Sequence, residues 1–120
     1  MISDDPAINK IQVRTKVWLE VDGEPLLGDG RERLLLAIER GGSLNAAAAE
    51  LGISYRKAWS QLQQMELHAP FPLVARSKGG KGGGSTRLTG EAQQLLERYA
   101  RIKRKLSVLR DDELDPEETP

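Results

Sequence analysis

Between residues 54 and 64 the chain carries Ser54, Tyr55, Arg56, Lys57, Ser60, Gln61 and Gln64 within about three turns of a helix. Arginine offers a planar fork of donors and lysine a point charge, while the hydroxyls and amides both donate and accept. A second cluster has Arg76, Lys78, Lys81 and Arg87 arranged around the run Gly79-Gly80-Lys81-Gly82-Gly83-Gly84. Glycines let a backbone come close to a phosphate, and the cations supply the charge. The chemistry offered by both clusters is recognition of a hydrogen-bonding polyanion, not bond making or breaking.

The rest of the inventory narrows the choice. There is no cysteine and only one histidine, His68, so disulfides, thiolate metal sites and histidine clusters are not expected. No carboxylate pair or nucleophile with a neighbouring base stands out, and neither enzymatic activity nor a cofactor or metal is expected. A P-loop requires Gly-Lys-Ser/Thr leading into a helix, and here Lys81 is followed by Gly82. No apolar run approaches the roughly 20 residues that span a bilayer, and the acidic N-terminus is unlike a secretory signal. A cytoplasmic, nucleoid-associated protein without membrane contact is expected.

A net charge of zero conceals a polarised chain. Residues 31–110 carry a net +9, residues 1–30 a net −3 and residues 111–120 a net −6. A basic body with acidic ends is compatible with nucleic-acid binding, and equally with a helical domain kept soluble by its charges.

Elements must hold those side chains in place. Residues 1–10 are expected to be disordered. Ile11, Val13, Val17, Leu19 and Val21 alternate, which predicts a strand; Asp22-Gly23 then turns it into a short return strand at Glu24–Leu27. Asp29 is placed to cap a first helix built on Leu34, Leu35 and Ile38. Ser43 caps a second, Leu44–Leu51, whose alanines at 46–49 allow close packing, and Gly52 ends it. A third helix runs from about Tyr55 to His68, with Tyr55, Ala58, Trp59, Leu62 and Met65 on one side. Trp59 is expected in the core, whereas Tyr55, at the helix start, could face either way. Two short strands around the glycine run form a hairpin, although a flexible linker would carry the same composition. Thr89 caps a last helix with an apolar stripe at Leu95, Leu96, Tyr99, Ile102, Leu106 and Leu109. Residues 111–120 form an acidic tail expected to be disordered.

The order of helix, small-residue helix, Gly-Ile-Ser turn, polar-faced helix and glycine-tipped hairpin predicts a mainly α winged helix-turn-helix, with an N-terminal hairpin and a long C-terminal helix at about 90–109. The folded domain is expected to span 11–110. An ordinary helical hairpin is the plainer reading of the central stretch.

Ile53-Ser54-Tyr55-Arg56-Lys57-Ala58-Trp59, Pro72-Leu73-Val74, the glycine run and Arg87-Leu88-Thr89 together resemble the N-terminal domain of ModE-type molybdate-responsive regulators. More distantly, Gly42-Ser43-Leu44 with the alanines, and Glu66, are similar to the LysR-type helix-turn-helix. The resemblance covers about residues 12–106. It implies a homodimer on an inverted-repeat operator, with Ser54, Tyr55, Arg56 and Lys57 on the reading helix and Lys81 and Arg87 in the wing contacting double-stranded DNA. The long last helix is then the dimerisation helix, and its stripe Leu95, Leu96, Tyr99, Ile102, Leu106 and Leu109 reads, by its length, better as the dimer seam than as packing within one domain. Full-length ModE regulators carry C-terminal molybdate-binding domains. This chain ends in the acidic tail, so an oxyanion effector is not expected to be bound by a C-terminal domain of its own. The reading is a sequence-specific transcriptional regulator linked to molybdate or oxyanion metabolism. Its rivals are a non-specific architectural DNA binder and a winged-helix protein-interaction module.

Overall fold

Local capping chemistry sets most of the element boundaries. The computed structural model describes residues 5–78 and 84–112, with side chains as far as residue 108. After a three-ten turn at Ile8–Lys10, the elements are β1 (Leu19–Val21), β2 (Glu24–Leu27), α1 (Asp29–Gly41), α2 (Leu44–Leu51), α3 (Tyr55–His68), β3 (Val74–Ser77), β4 (Ser85–Leu88) and α4 (Gly90–Asp112). They group as two units, one of Trp18–Tyr99 and one joining the segment up to Val17 with the chain from Ala100 onward.

In the first of these units, β1 and β2 form an antiparallel hairpin closed by Asp22 and Gly23 at φ 51° and 82°, the sign pair of a type I′ turn. The register skips Leu26, so Leu19 pairs with Leu27 and Glu20 with Pro25. This bulge re-aims one side chain, and the consecutive Leu26 and Leu27 are both buried. The strand expected over Ile11–Val21 is limited to Leu19–Val21. With β2 only four residues long, Ile11–Trp18 has no strand to pair with among the described residues. The alternation there lies outside any strand.

Helix α1 starts after Gly28, with Asp29 and Glu32 in its first turn, where carboxylates meet the positive end of the helix dipole. Asp29 is thus the first helical residue and not the cap. Its Oδ1 accepts a 3.0 Å hydrogen bond from the hydroxyl of the fully buried Tyr99, which ties α4 to the start of α1. Arg31 donates to the carbonyls of Pro25 and Leu26 at 2.7 and 3.3 Å, fastening the hairpin to α1.

Close approach joins α1 to α2. A Cβ at Gly41 would lie 2.7 Å from the Cβ of Ala46, closer than two carbons can come without a shift. An Arg40–Glu50 ion pair, with Nε to Oε1 at 3.0 Å, clips the same two helices together. The Glu50 carboxyl is held below its ordinary range chiefly by this hydrogen bond. Ala47 and Ala48 are buried, and Ala49 faces solvent.

The core is built from Leu34, Leu35 and Ile38 of α1, Ala58, Leu62 and Met65 of α3, Leu73, and Ala92 with Tyr99 of α4, all fully buried. Strands β3 and β4 pair antiparallel from Val74 opposite Leu88 to Ser77 opposite Ser85. Mainly helical with two separate two-stranded sheets, the fold is a winged helix-turn-helix.

Candidate nucleic-acid interface

The turn that presents α3 depends on Gly52. At φ 67° it takes the left-handed conformation, its N–H donates to the Ala49 carbonyl at 3.2 Å, and Ile53 N–H donates to the Ala48 carbonyl at 3.0 Å. That Schellman arrangement satisfies the end of α2 and redirects the chain sharply. Two residues later, the Ser54 Oγ accepts from Lys57 N–H at 3.0 Å and caps α3. Ala69, extended before Pro70, ends the helix where the following ring disfavours helical backbone.

With Ala58, Leu62 and Met65 fully buried, the opposite arc of α3 faces outward. Ser54, Tyr55, Arg56, Lys57, Ser60 and Gln64 are all exposed. Gln61 is only half-buried and lies toward the inner side. Gln63, absent from the sequence reading, is exposed. Seven residues separate it from Arg56, so the two lie within about 20° on a helical wheel, and that spacing was the available signal.

Trp59, expected in the core, is 47% exposed, and Tyr55 is 52% exposed. Three smaller side chains already fill the inner face of α3, which leaves the indole on its flank. Among the described residues, Arg56 and Lys57 make no ion pair.

The wing is tied down on three sides. Thr86 N–H donates to the Gly42 carbonyl at 2.9 Å, reaching the turn between α1 and α2. Thr89 N–H donates to the Leu73 carbonyl at 3.0 Å and its hydroxyl donates to the Pro72 carbonyl at 2.7 Å, while its Oγ1 accepts from Ala92 N–H at 3.1 Å. One threonine thus latches the wing and starts α4. On α3, Glu66 accepts from Arg76 at 3.1 Å, so Arg76 is engaged within the protein. Lys78 and Arg87 are exposed. Lys81 and the glycines at 79, 80, 82 and 83 lie outside the described residues.

Along α4, Leu96 and Tyr99 are buried in the core of Trp18–Tyr99, while Leu95, Ile102 and Leu106 are half-buried. The side chain of Leu109 lies outside the described residues. Among the described residues, no group of histidine, cysteine or carboxylate side chains could hold a metal, and no helix is long and apolar enough to cross a membrane.

Residues 31–93, from the start of α1 into α4, match the bacterial regulatory helix-turn-helix protein, lysR family. The chain belongs to this family. Within the lysR-type frame, its sequence is 42% identical over 88 residues to the molybdenum transport protein ModE of Azotobacter vinelandii, covering 73% of this chain and 33% of that protein. It is 45% identical over 74 residues to the transcriptional regulator ModE of Haemophilus influenzae, covering 62% and 29%. With the DNA-binding transcriptional dual regulator ModE of Escherichia coli K12 it shares 39% identity over 98 residues, covering 78% and 37%. The ModE resemblance is thus borne out, and the chain spans about a third of the length of these relatives. Solved structures are similar as well. Full-length CbnR complexed with its target DNA matches at TM-score 0.51 and 26% identity, over 69% of this chain and 27% of that one. A variant of ZitR from Lactococcus lactis matches in fold at TM-score 0.52 and 19% identity, over 84% and 66%.

Proposed function

We propose that this lysR-type chain is a ModE-like, sequence-specific DNA-binding transcriptional regulator that acts as a homodimer on an inverted-repeat operator and serves molybdate or oxyanion metabolism. The observation that carries the reading is the outward arc of α3. Arg56, Lys57, Ser60, Gln63 and Gln64 are exposed there, on a capped helix whose other face is locked into the core. Inserted into a major groove, the first turns meet base edges, where a fork from Arg56 to guanine O6 and N7 discriminates by about 1–3 kcal/mol. Ser54 and Lys57 lie where phosphate contacts set the register. Lys78 and Arg87 of the wing approach the neighbouring backbone.

The half-buried Leu95, Ile102 and Leu106 on α4 are the seam at which two copies meet. Pairing sets two α3 helices about one helical turn of DNA apart, roughly 34 Å or a multiple of it. Leu96 and Tyr99 hold the domain together and stay out of that seam. The role is one of binding, without a catalytic step, and it places the protein with the chromosome in the cytoplasm. The link to molybdate rests on the names of the relatives.

The test is sequencing of genomic fragments bound by the purified protein, with and without molybdate. An enriched inverted repeat supports the dimeric regulator, and a molybdate-dependent change supports the sensing link. Fragments without a shared motif indicate architectural binding. Failure to retain any fragment indicates a protein-interaction role.

A further inference from the structure

One flank of α3 is aromatic and about half in water, and its Trp59 has no part in the interface described so far. Tyr55 and Trp59 are one turn apart on the same side of the helix, 52% and 47% exposed, and neither side chain makes a hydrogen bond among the described residues. Tyrosine and tryptophan, apolar over the ring and polar at one edge, are enriched where a protein surface meets a partner. The core offers no room, because Ala58, Leu62 and Met65 already close the inner face of α3 with no exposure at all. A second solvent-facing indole, Trp18, has its N–H satisfied by the Glu20 carboxylate at 2.7 Å.

What lies beside the flank identifies its partner. Arg56 and Lys57 share the first turn with Tyr55, and no carboxylate occurs on α3 before Glu66, itself paired with Arg76. An aromatic surface set among unpaired cations, with amides at Gln63 and Gln64, fits a polyanion that also presents apolar spots. Double-stranded DNA presents one such spot on its major-groove base edges, the 5-methyl group of thymine.

We propose that Trp59, supported by Tyr55, reads thymine 5-methyl groups in the operator, an assignment that rests on the reading of α3 as the major-groove helix. Arg56 and the amides address donors and acceptors of the bases. The indole face covers the methyl groups beside them and excludes water from the polar contacts, as aromatic anchors do at other interfaces. The preferred half-site then contains thymine next to the bases met by the first two turns of α3. Cytosine at that position lacks the methyl and is disfavoured.

The experiment uses a duplex recovered by the purified full chain from a random-sequence library, with deoxyuridine substituted for each thymine in turn. Deoxyuridine keeps base pairing and removes only the methyl. At one or two positions per half-site, wild-type affinity is expected to fall roughly fourfold, the factor carried by burying one methyl-sized group. In Trp59→Gln, whose fold is checked by its thermal melt, the same substitutions change affinity less than about twofold. Tolerance of deoxyuridine at every position by the wild type overturns the proposal while leaving α3 as the reading helix. So does an unchanged penalty in Trp59→Gln. A library that yields no enriched sequence overturns the DNA reading itself, and the methyl assignment with it.

Discussion

On β3 of the wing, Nη2 of Arg76 lies 3.1 Å from Oε1 of Glu66 on α3. The pair joins the two elements that flank the outward arc and compensates one wing cation within the protein. Both partners retain contact with solvent, so its contribution to stability is at most about 1 kcal/mol. Its larger consequence is for charge. Glu66→Gln leaves the Arg76 guanidinium uncompensated beside the DNA surface, so affinity for DNA at low salt should rise. The slope of log K against log salt should steepen by about 0.9, one further phosphate neutralised. Arg76→Gln should leave that slope nearly unchanged, which a salt titration of both variants checks.

Arg56 and Lys57 are adjacent and both exposed, yet their substitution should give different results. Arg56→Ala is expected to cost about 1–3 kcal/mol on the preferred duplex and little on unrelated DNA, because a bidentate base contact is lost. Lys57→Ala should weaken binding to all sequences alike and reduce the salt slope by about 1. Titrations against the preferred and a scrambled duplex separate the two.

Much of this arrangement was readable because it is written in local chemistry. Ser43 and Ser54 accept from the N–H groups of Ala46 and Lys57, Gly52 adopts positive φ, and Asp22-Gly23 closes a two-residue hairpin. Each of these follows from one or two adjacent side chains. Three expectations turned on tertiary neighbours and came out differently. Trp59 shares a wheel sector with core residues, but Leu62 and Met65 exhaust the space beneath α3. The alternation from Ile11 continues past the point where β2 can supply a partner. The apolar stripe on α4 divides, because Tyr99 reaches Asp29 and is buried within its own chain. A helical wheel shows direction, and the volume already taken by neighbours decides burial.

Ser54 has two separable duties. As the cap of α3 it satisfies the Lys57 N–H, and Ser54→Ala should cost about 1 kcal/mol of folding stability. Aspartate caps a helix as well as serine does, but its charge would face a phosphate. Ser54→Asp should therefore melt close to the wild type while binding DNA far more weakly. Urea unfolding and DNA titration of the two variants test this together; wild-type binding by Ser54→Asp would assign Ser54 to the fold alone.

At Gly41, the 2.7 Å approach of an added Cβ to Ala46 predicts that Gly41→Ala destabilises the domain by about 1–3 kcal/mol, the range for overpacking. Truncating the other side of the contact with Ala46→Gly should remove much of that penalty. Its own cost is about 1 kcal/mol in helix propensity. A double-mutant cycle from urea melts should thus show the Gly41→Ala loss shrinking in the Ala46→Gly background. An undiminished loss would place the strain elsewhere than at the α1–α2 contact.

The Arg40–Glu50 clip adds a pH dependence whose sign follows from the lowered Glu50 carboxyl. In the unfolded chain Glu50 titrates near its ordinary value of about 4.5, and in the folded chain lower, because Arg40 donates to it. The unfolded state therefore binds the extra proton first, and the clip stabilises fully above that ordinary value. Its contribution falls away as pH drops through the folded value. Arg40 is raised from an already high value and stays charged throughout. Both groups are solvent-facing, so the effect is small and screened by salt. Thermal melts should show the gap between wild type and Glu50→Gln closing as the pH is taken below about 4, and narrowing at neutral pH in about 1 M salt. A gap that stays constant across both titrations would mean that Glu50 contributes through packing and not through its charge.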